Sequence, residues 1–230
     1  MLTKKTDNII VDGVSRPIHN VDGRLIAQDI DGLLAFWRFY ANGPSDRLGR
    51  PIVVYHGACG FESDEFSYKV KGINSYSDSD IGFFFGSADV ANCFANEHDD
   101  EPSIIPAYVS LQNPKYVQGA TFVTMLECLN FDGWQNFKNK TLKSGYDGVI
   151  VRTDSDALNS EYHHQFQSDN YIAFHPEQIK SAIGNPGTYN RNTASITDGH
   201  GPRIGAEIDM DESTNNDRDS NELNRKRFKP

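Results

Sequence analysis

Apolar positions fall into two rhythms along this chain. Leu33, Leu34, Phe36, Trp37 and Tyr40 recur at near-helical spacing and predict an amphipathic helix of about three turns. Gly43-Pro44 ends it, and the polar run from Asp46 to Arg50 turns the chain toward Pro51. After that proline, Ile52, Val53, Val54 and Tyr55 form an unbroken apolar run that predicts a buried strand ending in His56-Gly57. Further strands are predicted at residues 104–111, 146–151 and 171–174, with Pro106 marking an edge or a bulge in the first. Residues 121–129 read as a helix; Gly133-Trp134 interrupts the pattern and 137–142 resumes it. Near the N-terminus, Asp12-Gly13 and Asp22-Gly23 are turn signals, and Arg24-Leu25-Ile26-Ala27 can pair in a small hairpin. Short strands mixed with a few helices, without strict alternation, predict an α+β domain with a split or mixed β-sheet.

Composition changes this picture mainly at the C-terminal end. Residues 190–230 are rich in Asn, Asp, Ser, Gly and Arg, and Phe228 is their only aromatic. Such a stretch buries too little apolar surface to offset chain entropy, so a disordered polar tail is expected, with a solvated basic end at 224–229. The chain then divides into a hairpin and helix extension at 1–50, a core domain at 51–189 and the tail at 190–230. With 230 residues, 37% of them hydrophobic, it can bury one ordinary core. No apolar run approaches the ~18 residues of a membrane span, and no hydrophobic stretch follows Lys4 and Lys5. A soluble, cytoplasmic protein without signal peptide or membrane partner is expected. A formal net charge of -10 argues against general nucleic-acid binding through a basic face. Cys59, Cys93 and Cys128 cannot make a paired framework and are expected to be reduced, buried thiols. His163, His164 and His175 lack partners at ligand spacing, so no metal is expected, and His98 with Asp99, Asp100 and Glu101 reads as a solvated loop.

Candidate chemistry gathers at strand ends. His56 closes one strand with a ring that both donates and accepts when neutral, and Gly57 beside it lets a ligand approach the backbone. Phe83, Phe84 and Phe85, with Phe94 behind them, offer faces on which an aromatic ring can stack. Taken singly, each has a plainer reading: a satisfied strand histidine, a strand buried on both faces, a core stripe at Val90 and Phe94. Their joint order, followed by Asn170-Tyr171-Ile172, carries the weight.

The stretches VVYHGA, GFFFGSADVANCFA and NYIAF resemble the three motifs of the histidine-type ADP-ribosyltransferases. Together with VDGVSRPIHNVDGRLIA, FWRFYANGPSDRLGRPIVVYHG, AYVSLQNP, GYDGVIV and YIAFHPEQIKSAIGNPGTYN, the chain resembles more closely still the ADP-ribosyltransferase domains of phage polyvalent proteins, from about Val11 to Tyr189. The resemblance implies a split mixed sheet with flanking helices, NAD as substrate, and a mono-ADP-ribosyltransferase of toxin or effector type that cleaves the nicotinamide bond. It implies that His56 orients the ribose, Gly57 binds the carboxamide, Phe84 and Phe94 wall the nicotinamide, and Tyr55 and Phe85 also belong to the NAD-binding residues. Asn170 stands where the family carries glutamate, and Ala91 where relatives carry a serine. Either Asn170 or Asp169 occupies the third catalytic position, because a shift of one residue turns a strand side chain to the other face. Restoring a carboxylate with Asn170→Glu is expected to raise nicotinamide release, by ~30- to 1000-fold. The resemblance also implies a macromolecular acceptor read by the loop at 154–168, through Glu161, Gln165 and Gln167, with protein favoured over nucleic acid by net charge. A weak or inactive NAD-binding module of phage origin and an NAD glycohydrolase are the alternative readings.

Overall fold

The computed structural model describes residues 7–59, 63–67, 81–96 and 101–198. The predicted loop around His98, at residues 97–100, and the basic end at 224–229 lie outside them. The chain opens with a hairpin of β1 (Asn8–Val11) and β2 (Val14–Pro17), joined through Asp12 and Gly13 with φ of 48° and 81°. Two successive positive φ values are what a tight hairpin turn of this hand requires, which is why Asp-Gly stands there. Helix α1 (Ile30–Tyr40) follows, started by Asp29, whose side chain accepts from the Gly32 N–H. Its buried face carries Phe36, Trp37, Phe39 and Tyr40, which pack with Val11, Tyr108 and Tyr189. The extension is thus continuous with the core domain through that aromatic cluster.

Two sheets make the core. One is antiparallel, in the order β3 (Val54–Cys59), β5 (Pro102–Val109), β9 (Ile179–Ser181). The other runs β4 (Phe83–Phe85), β8 (Asn170–Ala173), β7 (Gly148–Arg152), β6 (Pro114–Gln118), with β6 parallel to β7. Among the described residues a single bridge, Tyr55 with Gly86, joins them. This is an α+β fold with a split mixed sheet. Helices α2 (Ala88–Ala95), α3 (Gly119–Cys128), α4 (Phe131–Lys143) and the single turn α5 (Ser155–Leu158) flank it.

Several local expectations are corrected. Pro106 sits in the central strand of its sheet and forms no bulge, since β5 pairs continuously with β3 from residue 102 to 107. It is tolerated because Tyr55 opposite spends both backbone groups on Gly86, while the Pro106 carbonyl accepts from the Ala182 N–H. Gly133 and Trp134 do not interrupt a helix: Asn130 caps α4 by accepting from the Gly133 N–H, and Trp134 is fully buried. The cysteines are free, but Cys128 is exposed and the other two are half-buried.

The folded chain also runs past the expected boundary at 190. Ile196, 4% exposed, joins the core between the sheets, and its carbonyl accepts from the Ser181 N–H. Lys180 is wholly buried and donates to the carbonyls of Thr193 and Ser195 and, at 2.9 Å, to the Asp198 carboxylate. Burial works upward on the Asp198 carboxyl, yet donors from Thr188, Lys180, Asn190 and Asn185 hold it below its usual range. A polar stretch packs here because its polar atoms are paired, which composition alone does not reveal.

Candidate functional site

The site arises where β3 and β4 part. Tyr55 and Gly86 exchange both backbone hydrogen bonds at 2.9 Å. One pair further along, in the same register, Gly57 stands opposite Phe84, yet there the ladder is not continued. The Phe84 carbonyl instead takes the His56 ring, with Nδ1 2.7 Å away. A carbonyl only accepts, so this bond places the proton on Nδ1 and leaves Nε2 as an acceptor. Backbone direction alternates along a strand, so the N–H and C=O of Gly57 point to the same edge as those of Tyr55, away from β5. The split sheet therefore presents a backbone donor and acceptor at Gly57 beside a histidine of fixed tautomer.

Gly57 also governs the helix behind this edge. A Cβ there would lie 1.9 Å from the Ala91 carbonyl oxygen and 2.9 Å from the Ala95 nitrogen, so α2 rests directly on the glycine. Ser87 starts that helix by accepting from the Val90 N–H, while its own N–H donates to Ser168 Oγ at 2.9 Å. The helix is thereby tied to the loop before β8. Phe94, half-buried on α2, has its ring 6.4 Å from His164 of that loop.

Burial pushes the His56 pKa down and the Phe84 carbonyl pulls weakly the other way, leaving it below the usual histidine value. The ring is packed perpendicular to Phe66 at 5.0 Å and tilted against Phe85 at 5.5 Å. Phe85 is 1% exposed, so it supports His56 from the core and presents no open face for stacking. Phe84 lies on the opposite face, with Gly57, Gly86 and Asn170, half-buried and 6.4 Å from Phe122.

Asn170 and Asp169 are separated by the strand's alternation. Asn170, 7% exposed, donates from Nδ2 to the Gln165 carbonyl at 2.8 Å and to that of Ser168 at 3.5 Å. Asp169 pairs with Arg152 and accepts from the Thr153 N–H at 2.9 Å. The loop between them and β7 contains α5 and a 3-10 turn, His163–Phe166, with Glu161 and Gln167 exposed and Gln165 half-buried. Phe66 and Ser168 escape a reading of the sequence. Phe66 was signalled only by being an aromatic within a polar loop.

Two surface depressions, ≈ 670 and ≈ 470 Å³, are lined from the hairpin, α1 and residues 186–191, and none of the site residues named above borders them. Among the described residues no group of His, Cys, Asp and Glu is arranged to hold a metal, and no helix is long and apolar enough to cross a membrane.

The split mixed sheet with His56 and Gly57 at its parting lies within the span that a known family covers. The profile of the family described as ADP-ribosyltransferase in polyvalent proteins matches residues 46–189. The chain belongs to that family, whose substrate is NAD. No curated protein and no solved structure matches the chain.

The tautomer makes a pH dependence. Protonation would convert Nε2 from acceptor to donor. Because the folded pKa lies below that of an unfolded histidine, ~6.5, the His56 contribution to stability is complete above that value. It is lost as pH falls through the lower folded pKa. NMR titration of the His56 ring should therefore give a midpoint below ~6.5, and a midpoint above that value would show a histidine in a different state.

Proposed function

We propose that the protein is a mono-ADP-ribosyltransferase that cleaves NAD at the nicotinamide bond and transfers ADP-ribose to a macromolecular acceptor. The observation that carries this is the parting of β3 and β4, with His56 satisfying the Phe84 carbonyl and the Gly57 backbone left on the open edge. The Gly57 N–H and C=O suit a carboxamide, which needs one donor and one acceptor in a plane. His56 Nε2 accepts from a ribose hydroxyl, and the half-buried faces of Phe84 and Phe94 are the candidates to border the nicotinamide ring. The bond from the ribose carbon to nicotinamide breaks with its electron pair going to the pyridinium nitrogen, so nicotinamide leaves neutral. The cation-like ribose is then captured by an acceptor nucleophile, which gives up its proton. Oxocarbenium character of this kind gains from nearby negative charge. Neither amide hydrogen of Asn170 is aimed at such a centre, since both go to loop carbonyls.

The loop holding Glu161, Gln165 and Gln167 is proposed to read the acceptor, and a protein acceptor fits the net charge of -10 better than a nucleic acid does. The enzyme is proposed to act in the cytoplasm of a bacterial or phage-infected host cell. A second reading, a weak or inactive NAD-binding module, is favoured by Asn170 alone. Labelled NAD incubated with the protein and a cell lysate decides between them. Transfer of label to macromolecules supports the transferase, and nicotinamide release without transfer supports a glycohydrolase. Binding with neither supports the module. His56→Ala should lower release ~10- to 100-fold, about 1.4–2.7 kcal/mol in the barrier; undiminished label transfer would remove His56 from the site.

A further inference from the structure

Phe66 packs on His56, but the segment that carries it, residues 63–67, has no regular structure of its own. Its ties lead to residues 195–197, among the last of the described chain. The Asp64 carboxylate accepts from the hydroxyls of Ser195 and Thr197 and, at 3.1 Å, from the Thr197 N–H. The Asp64 carbonyl accepts from the Ile196 N–H at 2.7 Å, and Glu65 pairs with Ser195 as an isolated bridge. Burial works upward on the Asp64 carboxyl, but the bonds from Ser195 and Thr197 outweigh it and hold the group below its usual range. Residues 193–198 are in turn anchored by Lys180, by Asp198 and by the buried Ile196. They lie beyond residue 189, where the family match ends.

We propose that residues 193–198 form a positioning strap for the site: by gripping Asp64 they seat Phe66 on the His56 ring and hold the imidazole on the Phe84 carbonyl. The functional meaning rests on reading His56 as the NAD-binding histidine, while the strap itself does not. The geometry is specific. Phe66 touches His56, Phe83 and Phe85 with ring centroids 5.0, 5.4 and 5.6 Å apart, and Ile196 lies in the same buried cluster. An irregular segment does not hold an aromatic edge at one place unless other contacts offset its entropy. Here the strap supplies such contacts through Asp64 and Glu65. Lost from its seat, Phe66 would admit water to the imidazole, removing the burial that depresses its pKa.

Asp64→Ala in the full chain tests this by NMR titration of His56 without NAD. The expected result is a midpoint that moves up toward the ordinary value of ~6.5. Phe66→Leu should produce the same upward shift, and the double variant should add little to either, because both act through one contact. Nicotinamide release at pH 7 should fall on the order of 10- to 100-fold in Asp64→Ala, as expected for misplacing one positioned group. If Asp64→Ala does not fold, Thr197→Val removes one bond of the grip and should shift the midpoint the same way, with Thr197→Ser restoring it. A folded variant with an unmoved His56 midpoint overturns the strap, whatever its activity. A moved midpoint in a protein whose wild type never consumes NAD upholds the strap and overturns the functional reading instead.

Discussion

Gly57→Ala is expected to destabilise the protein by about 3 kcal/mol or more and to abolish NAD cleavage. The added Cβ would sit 1.9 Å from the Ala91 oxygen, 2.8 Å from the Ala91 carbonyl carbon and 2.9 Å from the Ala95 nitrogen. All three are backbone atoms of α2, so no rotamer change relieves the clash. The helix must move as a body, or β3 must bow away from it. Either movement disturbs the parted edge, because α2 carries Phe94 and its first residues are tied to Ser168. Thermal unfolding checks this: a loss of ~3 kcal/mol in a chain of this size lowers Tm by ~6–12 °C. Gly133→Ala is the control. Its nearest neighbour is the flexible tip of Leu129, at 3.0 Å, and the glycine lies inside a helix, where alanine is the better former. An unchanged Tm in Gly57→Ala would mean that α2 does not rest on β3 in solution.

What was legible in the sequence divides by range. The α1 stripe depends on neighbours a few residues away, and the structure has it as expected. The strand at His56-Gly57 is present but runs from Val54 to Cys59, so the two residues lie within it and do not close it. Pro106 was misplaced because its tolerance depends on Tyr55, far away in sequence, spending its hydrogen bonds elsewhere. The short strand Ile179–Ser181 and the parallel β6 gave no signal, since strands of this length are defined by their partners. Residues 190–198 read as tail because their burial rests on Lys180 and Asp198 satisfying one another and the surrounding carbonyls. In the site, His56 and Gly57 could be named from residue type. Phe66 could not, because it joins the site through its packing on His56 and Phe85 and through the grip of residues 195–197 on Asp64.

Asn170→Glu should lower nicotinamide release, opposite to the gain expected when only the residue type is considered. Asn170 is nearly buried and donates to the carbonyls of Gln165 and Ser168. A carboxylate has no hydrogen to give and would face both oxygens. Lost donors, unsatisfied carbonyls and a buried charge together cost about 2–4 kcal/mol. The strain falls on the loop that holds Ser168, and Ser168 Oγ accepts from the Ser87 N–H at the start of α2, so the disturbance reaches the helix behind Gly57. Any gain from negative charge must exceed that cost. Asn170→Asp isolates the cause, because it keeps the size and removes only the donor. Its carboxyl would be pushed up in pKa by burial and by the carbonyls, since the protonated form can donate to Gln165. A raised folded pKa means stability that is present in acid and lost as pH rises through it. Asn170→Asp should therefore recover part of its lost stability at low pH, measured by denaturant unfolding against wild type at each pH. Faster nicotinamide release in Asn170→Glu, with unfolding unchanged, would return this position to the role of a catalytic carboxylate site and show that the loop does not depend on the amide.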